Sequence, residues 1–152
     1  MIKNIFNSEV SKEVIDRINQ LQPNQKAVWG KMSVAQMLAH LNIQYKAIYA
    51  TENFKKPNPF MAFIMKVMVK PIVTGSKPFK KNGKTAPYFL VTSERNFKEE
   101  KQKLIQNIET TQKNGVAVLL PRKTKSFGKL TEEQWNNMLY KHIDHHLCQF
   151  NV

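Results

Sequence analysis

Apolar residues recur at three-to-four spacing in four separate stretches of this chain, and strand-like alternation is scarce, so its hydrocarbon is buried most readily by packing helices together. The first helix is expected to start after Ser8 with Glu9 in its first turn, carrying Val10, Val14, Ile15, Ile18 and Leu21 before Pro23 ends it. The second opens on Ser33-Val34-Ala35-Gln36, the pattern of a capping box, and turns Val34, Met37, Leu38, Leu41, Tyr45 and Ile48 inward. A shorter helix begins near Pro59, since proline suits the first helical position, and Pro71 with Gly75 marks its end. The third long helix starts near Ser93-Glu94, carries Phe97, Leu104, Ile105 and Ile108, and stops at Lys113-Asn114-Gly115, where glycine can take a left-handed cap. A second capping box, Thr131-Glu132-Glu133-Gln134, opens the last helix, which runs to about Gln149. Residues 52–92 and 115–130 remain as long connections, and the apolar runs Tyr88–Val91 and Val116–Leu120 read as connection segments against the helices rather than strands. With 152 residues, 41% of them hydrophobic, the chain suits one all-α domain over residues 1–152 with a single core.

Three of the four histidines lie in Lys141-His142-Ile143-Asp144-His145-His146-Leu147, close to the C-terminus. At about 100° per residue, with Trp135 at zero, Met138, Leu139 and Phe150 fall at roughly 300°, 40° and 60°, while His142 and His146 fall near 340° and 20°. Both histidines therefore sit in the middle of the apolar stripe. A buried polar group without a partner costs about 1–3 kcal/mol, so two side by side imply partners, and their i, i+4 spacing places them as bidentate metal ligands require. His145 lies on the flank, and Asp144 and Cys148 point away. The remaining histidine, His40, falls on the flank of the second helix with Gln44 and Ala47, a position compatible with a third ligand but not demanding one. The competing reading is of core histidines bonded to backbone, Tyr45 or Tyr140.

Other chemistries are excluded by what the pattern lacks. Ile143 stands where a zinc protease helix places glutamate after its first histidine, and Cys148 faces the wrong way to complete a four-ligand structural zinc. The sequence contains no G-x-G-x-x-G, Walker loop or G-x-S-x-G. Three histidines without a fourth protein ligand leave coordination positions for water or substrate. The expected ion is divalent, zinc or nickel first, with iron or cobalt as alternatives. One cysteine permits no intrachain disulfide, and the N-terminus lacks a signal-peptide pattern, so the cytoplasm is the expected location.

Trp29-Gly30-Lys31-Met32-Ser33-Val34-Ala35-Gln36-Met37-Leu38-Ala39-His40, the ending Phe127-Gly128-Lys129-Leu130-Thr131 through Trp135, and Lys141 to Phe150 resemble the DinB-like superfamily, and more closely a bacterial branch of uncharacterised function. The resemblance covers nearly the whole chain. It implies a four-helix bundle of up-down-down-up course, with one extra short helix between helices 2 and 3. It also implies a metal held by one histidine of the second helix and an H-x-x-x-H pair of the last, here His40, His142 and His146. Members include bacillithiol transferases and a mycothiol-dependent isomerase, so the resemblance implies a low-molecular-weight thiol cofactor or an electrophilic small-molecule substrate. His145 and Tyr45 are candidates to move protons or orient a ligand. Lys125-Ser126, where a His-Pro pair often precedes the Phe-Gly turn, and Cys148, where a basic residue is common, depart from the pattern and bear on substrate recognition. The expected function is that of a metal-dependent transferase or hydrolase, and the alternative is a non-catalytic ligand- or partner-binding bundle with a vestigial or structural metal. Homodimers are common among such bundles, but no interface is legible here.

Net charge is +13, and from Asn53 to Ser93 eight lysines meet no acidic residue. The plain reading is a solvated basic connection across an apolar helix that caps the bundle. The sharper one is a basic amphipathic helix on an anionic membrane, and nucleic-acid binding is disfavoured because no recognised module accompanies the charge. The Phe60–Val69 stretch, interrupted by Lys66, is too short to span a bilayer, which needs about 20 apolar residues. Met32, Met37, Met61, Met65, Met68 and Met138 read as core filler, and Cys148 as an ordinary small apolar residue.

Overall fold

In a computed structural model, described here for residues 2–50 and 55–152, the chain is mainly helical, with one two-stranded hairpin. The long helices are α1 (Ser8–Gln20), α2 (Val34–Tyr49), α5 (Phe97–Asn114) and α6 (Glu132–Gln149). Both capping boxes form: Ser33 and Thr131 accept from the backbone of Gln36 and Gln134, whose side chains return the bond. Two helix starts differ from expectation. Asn7, not Ser8, caps α1 by accepting from Glu9 and Val10. Asn96 caps α5, three residues later than the Ser93 start, because the carbonyls of Thr92 and Ser93 instead accept from Gln36 Nε2. Gly115 has a positive φ of 67° but an extended ψ of 174°, so α5 does not end in a left-handed helical cap.

Helix α1 packs on α5 and α6, and α2 packs on the same two. Between them lie Trp135, Tyr45, Phe150, Ile18, Met37, Leu38, Leu41, Leu104 and Ile108, all fully buried. A polar seam registers α2 on α5: Asn42 donates to Glu100 Oε2 at 2.8 Å and accepts from Asn107 at 3.0 Å.

The first long connection holds the short helix α3 (Pro59–Ile64), a π turn over Met65–Val69 and α4 (Lys70–Thr74). The helical course therefore runs through Pro71 and ends at Gly75, the second of the two residues expected to mark its end. The π turn, with Lys70 N–H bonded to Met65 O, leaves Pro71 in the first turn of a new segment, where a missing N–H is tolerated. The α4 end is pinned to α6. Asn137 Nδ2 donates to Thr74 O at 3.0 Å, and Lys141 Nζ donates to Ile72 O at 2.7 Å and Gly75 O at 2.5 Å. Of the methionines read as core filler, Met37 and Met138 are buried, whereas Met61 and Met68 are exposed on the outer face of this helix, where none of the described residues covers them.

Neither apolar run in the connections is a strand. Pro87–Phe89 and Val116–Val118 are single 3-10 turns, with Val91 and Leu119 turned into the interior. The hairpin, β1 (Lys123–Thr124) against β2 (Gly128–Lys129), is an element that periodicity did not reveal. Its strands are two residues long, too short to show alternation.

Candidate metal centre

Helix α2 supplies His40, and α6 supplies His142 and His146 one turn apart. His40 and His146 are buried and His142 is partly buried, and one ligand atom from each lies within 4.8 Å of the others. The flank position of His40 faces α6, and its ring meets both partner rings at 4.8 Å between centroids.

Hydrogen bonds behind the rings fix how each imidazole presents itself. His40 Nδ1 stands 2.8 Å from Phe89 O, a carbonyl that can only accept. His142 Nδ1 is 2.9 Å from Gln44 Oε1, and the amide of Gln44 is oriented by its own donation to Met138 O at 3.1 Å. His146 Nδ1 is 2.7 Å from Gln149 Oε1, whose amide donates to Trp29 O at 2.6 Å. Each Nδ1 therefore carries the proton and each Nε2 keeps its lone pair. Such outer bonds are the usual way a protein aims histidines at a metal.

The consequence is a conflict that a cation removes. His40 Nε2 and His142 Nε2 stand 2.8 Å apart. If both are bare, two lone pairs face each other. If one carries a proton, its Nδ1 lone pair must then face Phe89 O or Gln44 Oε1. A charged imidazolium would satisfy both ends, but burial opposes it. Desolvation lowers the pKa of His40, drives His142 well below the ordinary range with help from His146 and His40, and takes His146 down to about 3. Three neutral rings with a ligand nitrogen of each converging are in the protonation state a divalent ion requires. Two nitrogens on tetrahedral zinc stand about 3.3 Å apart, between the 2.8 Å contact and the 4.8 Å outer limit of this cluster.

Aromatic rings close around the triad. Phe89 lies 6.0 Å from His40, and Phe79 lies 6.1 Å from His142 and 5.7 Å from His145. His145 is partly buried between Trp29 and His146, with its pKa lowered first by burial. It borders the triad without joining it. Tyr45 lies in the apolar core, and its hydroxyl bonds to no histidine among the described residues. Cys148 is exposed beside Arg17, away from the rings.

Gln44 and Gln149 were not singled out as functional by the sequence. Their only signal is spacing, Gln44 one turn after His40 and Gln149 three residues after His146. Gly30 explains part of the Trp29-Gly30 motif: φ is +82°, and a Cβ there would lie 2.5 Å from Gln149 Nε2. The positive φ favours glycine here, and with no Cβ the loop closes on the glutamine that holds His146.

Comparison with known families gives a match over residues 5–152 to the family described as "Protein of unknown function (DUF1569)". Neither the curated proteins nor the solved structures contain a significant match.

Proposed function

The chain belongs to the DUF1569 family of unknown function, and on that premise we propose that it is a cytoplasmic, divalent-metal-binding protein with a DinB-like four-helix bundle, its ligands being His40, His142 and His146. The contacts of α1 and α2 with both α5 and α6 support the bundle; its up-down-down-up course is part of the proposal. The observation that carries the metal reading is the pair of Nε2 atoms 2.8 Å apart, each with its Nδ1 proton committed behind the ring.

A bound divalent ion supplies Lewis acidity, lowering the pKa of a thiol or water and polarising an electrophile. The chain's own contribution is positional. Phe89, Gln44 and Gln149 hold three rings in one tautomer, Phe79 and Phe89 keep water from their flanks, and His145 is the neutral base beside the triad that can accept a proton from an incoming thiol. These roles fit a transferase or hydrolase that uses a small thiol or an electrophilic substrate. A non-catalytic bundle with a structural metal is the second reading, favoured by the aromatic rings packed edge-on against His40 and His142.

Elemental analysis of protein purified without a histidine tag tests the metal. One equivalent per chain is expected, lost with His142→Ala together with more than about 100-fold in affinity. Substoichiometric metal that His142→Ala leaves unchanged overturns the reading. Turnover of electrophiles in a thiol screen, abolished by chelation and restored by metal, separates enzyme from binder.

A further inference from the structure

Eight lysines between residues 55 and 93, and five basic residues between 110 and 131, share their segments with no acidic residue; elsewhere 11 basic residues are balanced by 11 acidic ones. The entire net charge of +13 therefore belongs to these two segments. The fold brings them together. Lys70 Nζ on α4 donates to Lys129 O in the hairpin at 3.1 Å, and the Lys66 stem runs beside Gly128.

The same region exposes hydrocarbon. On the outer face of α3, the π turn and α4, Phe60 is 73% exposed, Phe63 64%, Met68 64% and Ile72 62%, with Val67 between them. The opposite face, through Met65, Val69 and Val73, is partly buried, and Thr74 fully so. A solvated connection needs none of those outer side chains to be apolar, and large exposed apolar patches mark interaction sites.

We propose that this helix docks on an anionic lipid surface, its outer apolar face entering the headgroup region while Lys55, Lys56, Lys66 and Lys129 meet lipid phosphates. Charge complementarity selects this occupant. A second copy joined through the same face would set one acid-free basic region against another. Nucleic acid would satisfy the lysines and leave Phe60, Phe63 and Met68 in water. An in-plane helix with apolar residues on one side and lysines around it satisfies both. Asn137 and Lys141, which hold the α4 carbonyls, keep the face presented outward.

Co-sedimentation of the full chain with vesicles of phosphatidylcholine, alone or mixed with phosphatidylglycerol, tests this. Retention is expected only on the mixed vesicles, weakening several-fold from low to high salt, and falling about tenfold in Phe63→Ser/Met68→Ser and in Lys66→Glu. Circular dichroism should show both variants folded, since all three side chains are exposed. No retention at low salt, equal retention on phosphatidylcholine alone, or retention untouched by the serine pair overturns the proposal. So does a dimer in light scattering that the serine pair dissociates.

Discussion

Trp135 and Phe63 are both large aromatics on helices, yet Trp135 is fully buried among the long helices while Phe63 is 64% exposed on the short one. The contrast extends to charge. The long helices mix both signs along their surfaces, with Lys12–Asp16 and Arg17–Asp144 as pairs, whereas the only charged residues between Asn53 and Ser93, around the short helix, are lysines. One region hides apolar groups and balances its charge, and the other displays both in excess. The difference teaches that residue type alone does not place a side chain: the core aromatic lies within the buried apolar cluster, whereas the surface aromatic sits on a short helix whose continuation, α4, is held to α6 by two polar residues.

The sharpest way to break that comparison is a pair of substitutions. Trp135→Ala is expected to cost about 3–5 kcal/mol by urea denaturation, while Phe63→Ser stays within about 0.5 kcal/mol. Similar losses at both positions would mean that the short helix is covered in solution.

The proposed metal centre can be tested through its supports. Gln149→Leu removes the acceptor for His146 Nδ1 and the donor to Trp29 O. Metal affinity, read by competition with a chromophoric chelator, is expected to fall about 10–100-fold with the fold retained. Unchanged affinity would mean that ring packing alone orients His146.

The metal-free chain also carries a pH dependence. Burial depresses all three imidazoles in the folded chain, His146 to about 3, whereas unfolded histidine titrates near 6.5. Below that value the unfolded chain takes up protons that the folded chain refuses, so stability present above about pH 6.5 is lost as the pH falls toward the folded values. In chelator-treated protein the urea midpoint should decline from roughly pH 7 to roughly pH 4, as unfolding exposes imidazoles that then take up protons. A flat midpoint across that range would mean that the rings are solvated.

Much of this was legible because it is local. The capping boxes at Ser33 and Thr131 and the apolar spacing of α2 and α6 are written in adjacent residues, and His142 and His146 stood out by occupying the wrong angle for imidazole. What was hidden depends on distant partners. Asn96 displaced Ser93 as a cap because Gln36 claims the Thr92 and Ser93 carbonyls. Gln44 and Gln149 look like ordinary polar residues until Met138 O and Trp29 O orient their amides. The passage beyond Pro71 needed a π turn, which periodicity at 3.6 residues does not detect.

Lys141 and His142 are neighbours in sequence, so the side chain that grips the Ile72 and Gly75 carbonyls shares a peptide bond with a member of the triad. Successive residues on a helix diverge by about 100°, which lets one turn of α6 serve two regions, with the Phe79 ring between Lys141 Nζ, at 4.5 Å, and His142. A pull on the outer helix would thus be felt as torque on the backbone that aims an imidazole. The grip on the surface and the aim of the interior are set by a single rotation of that turn.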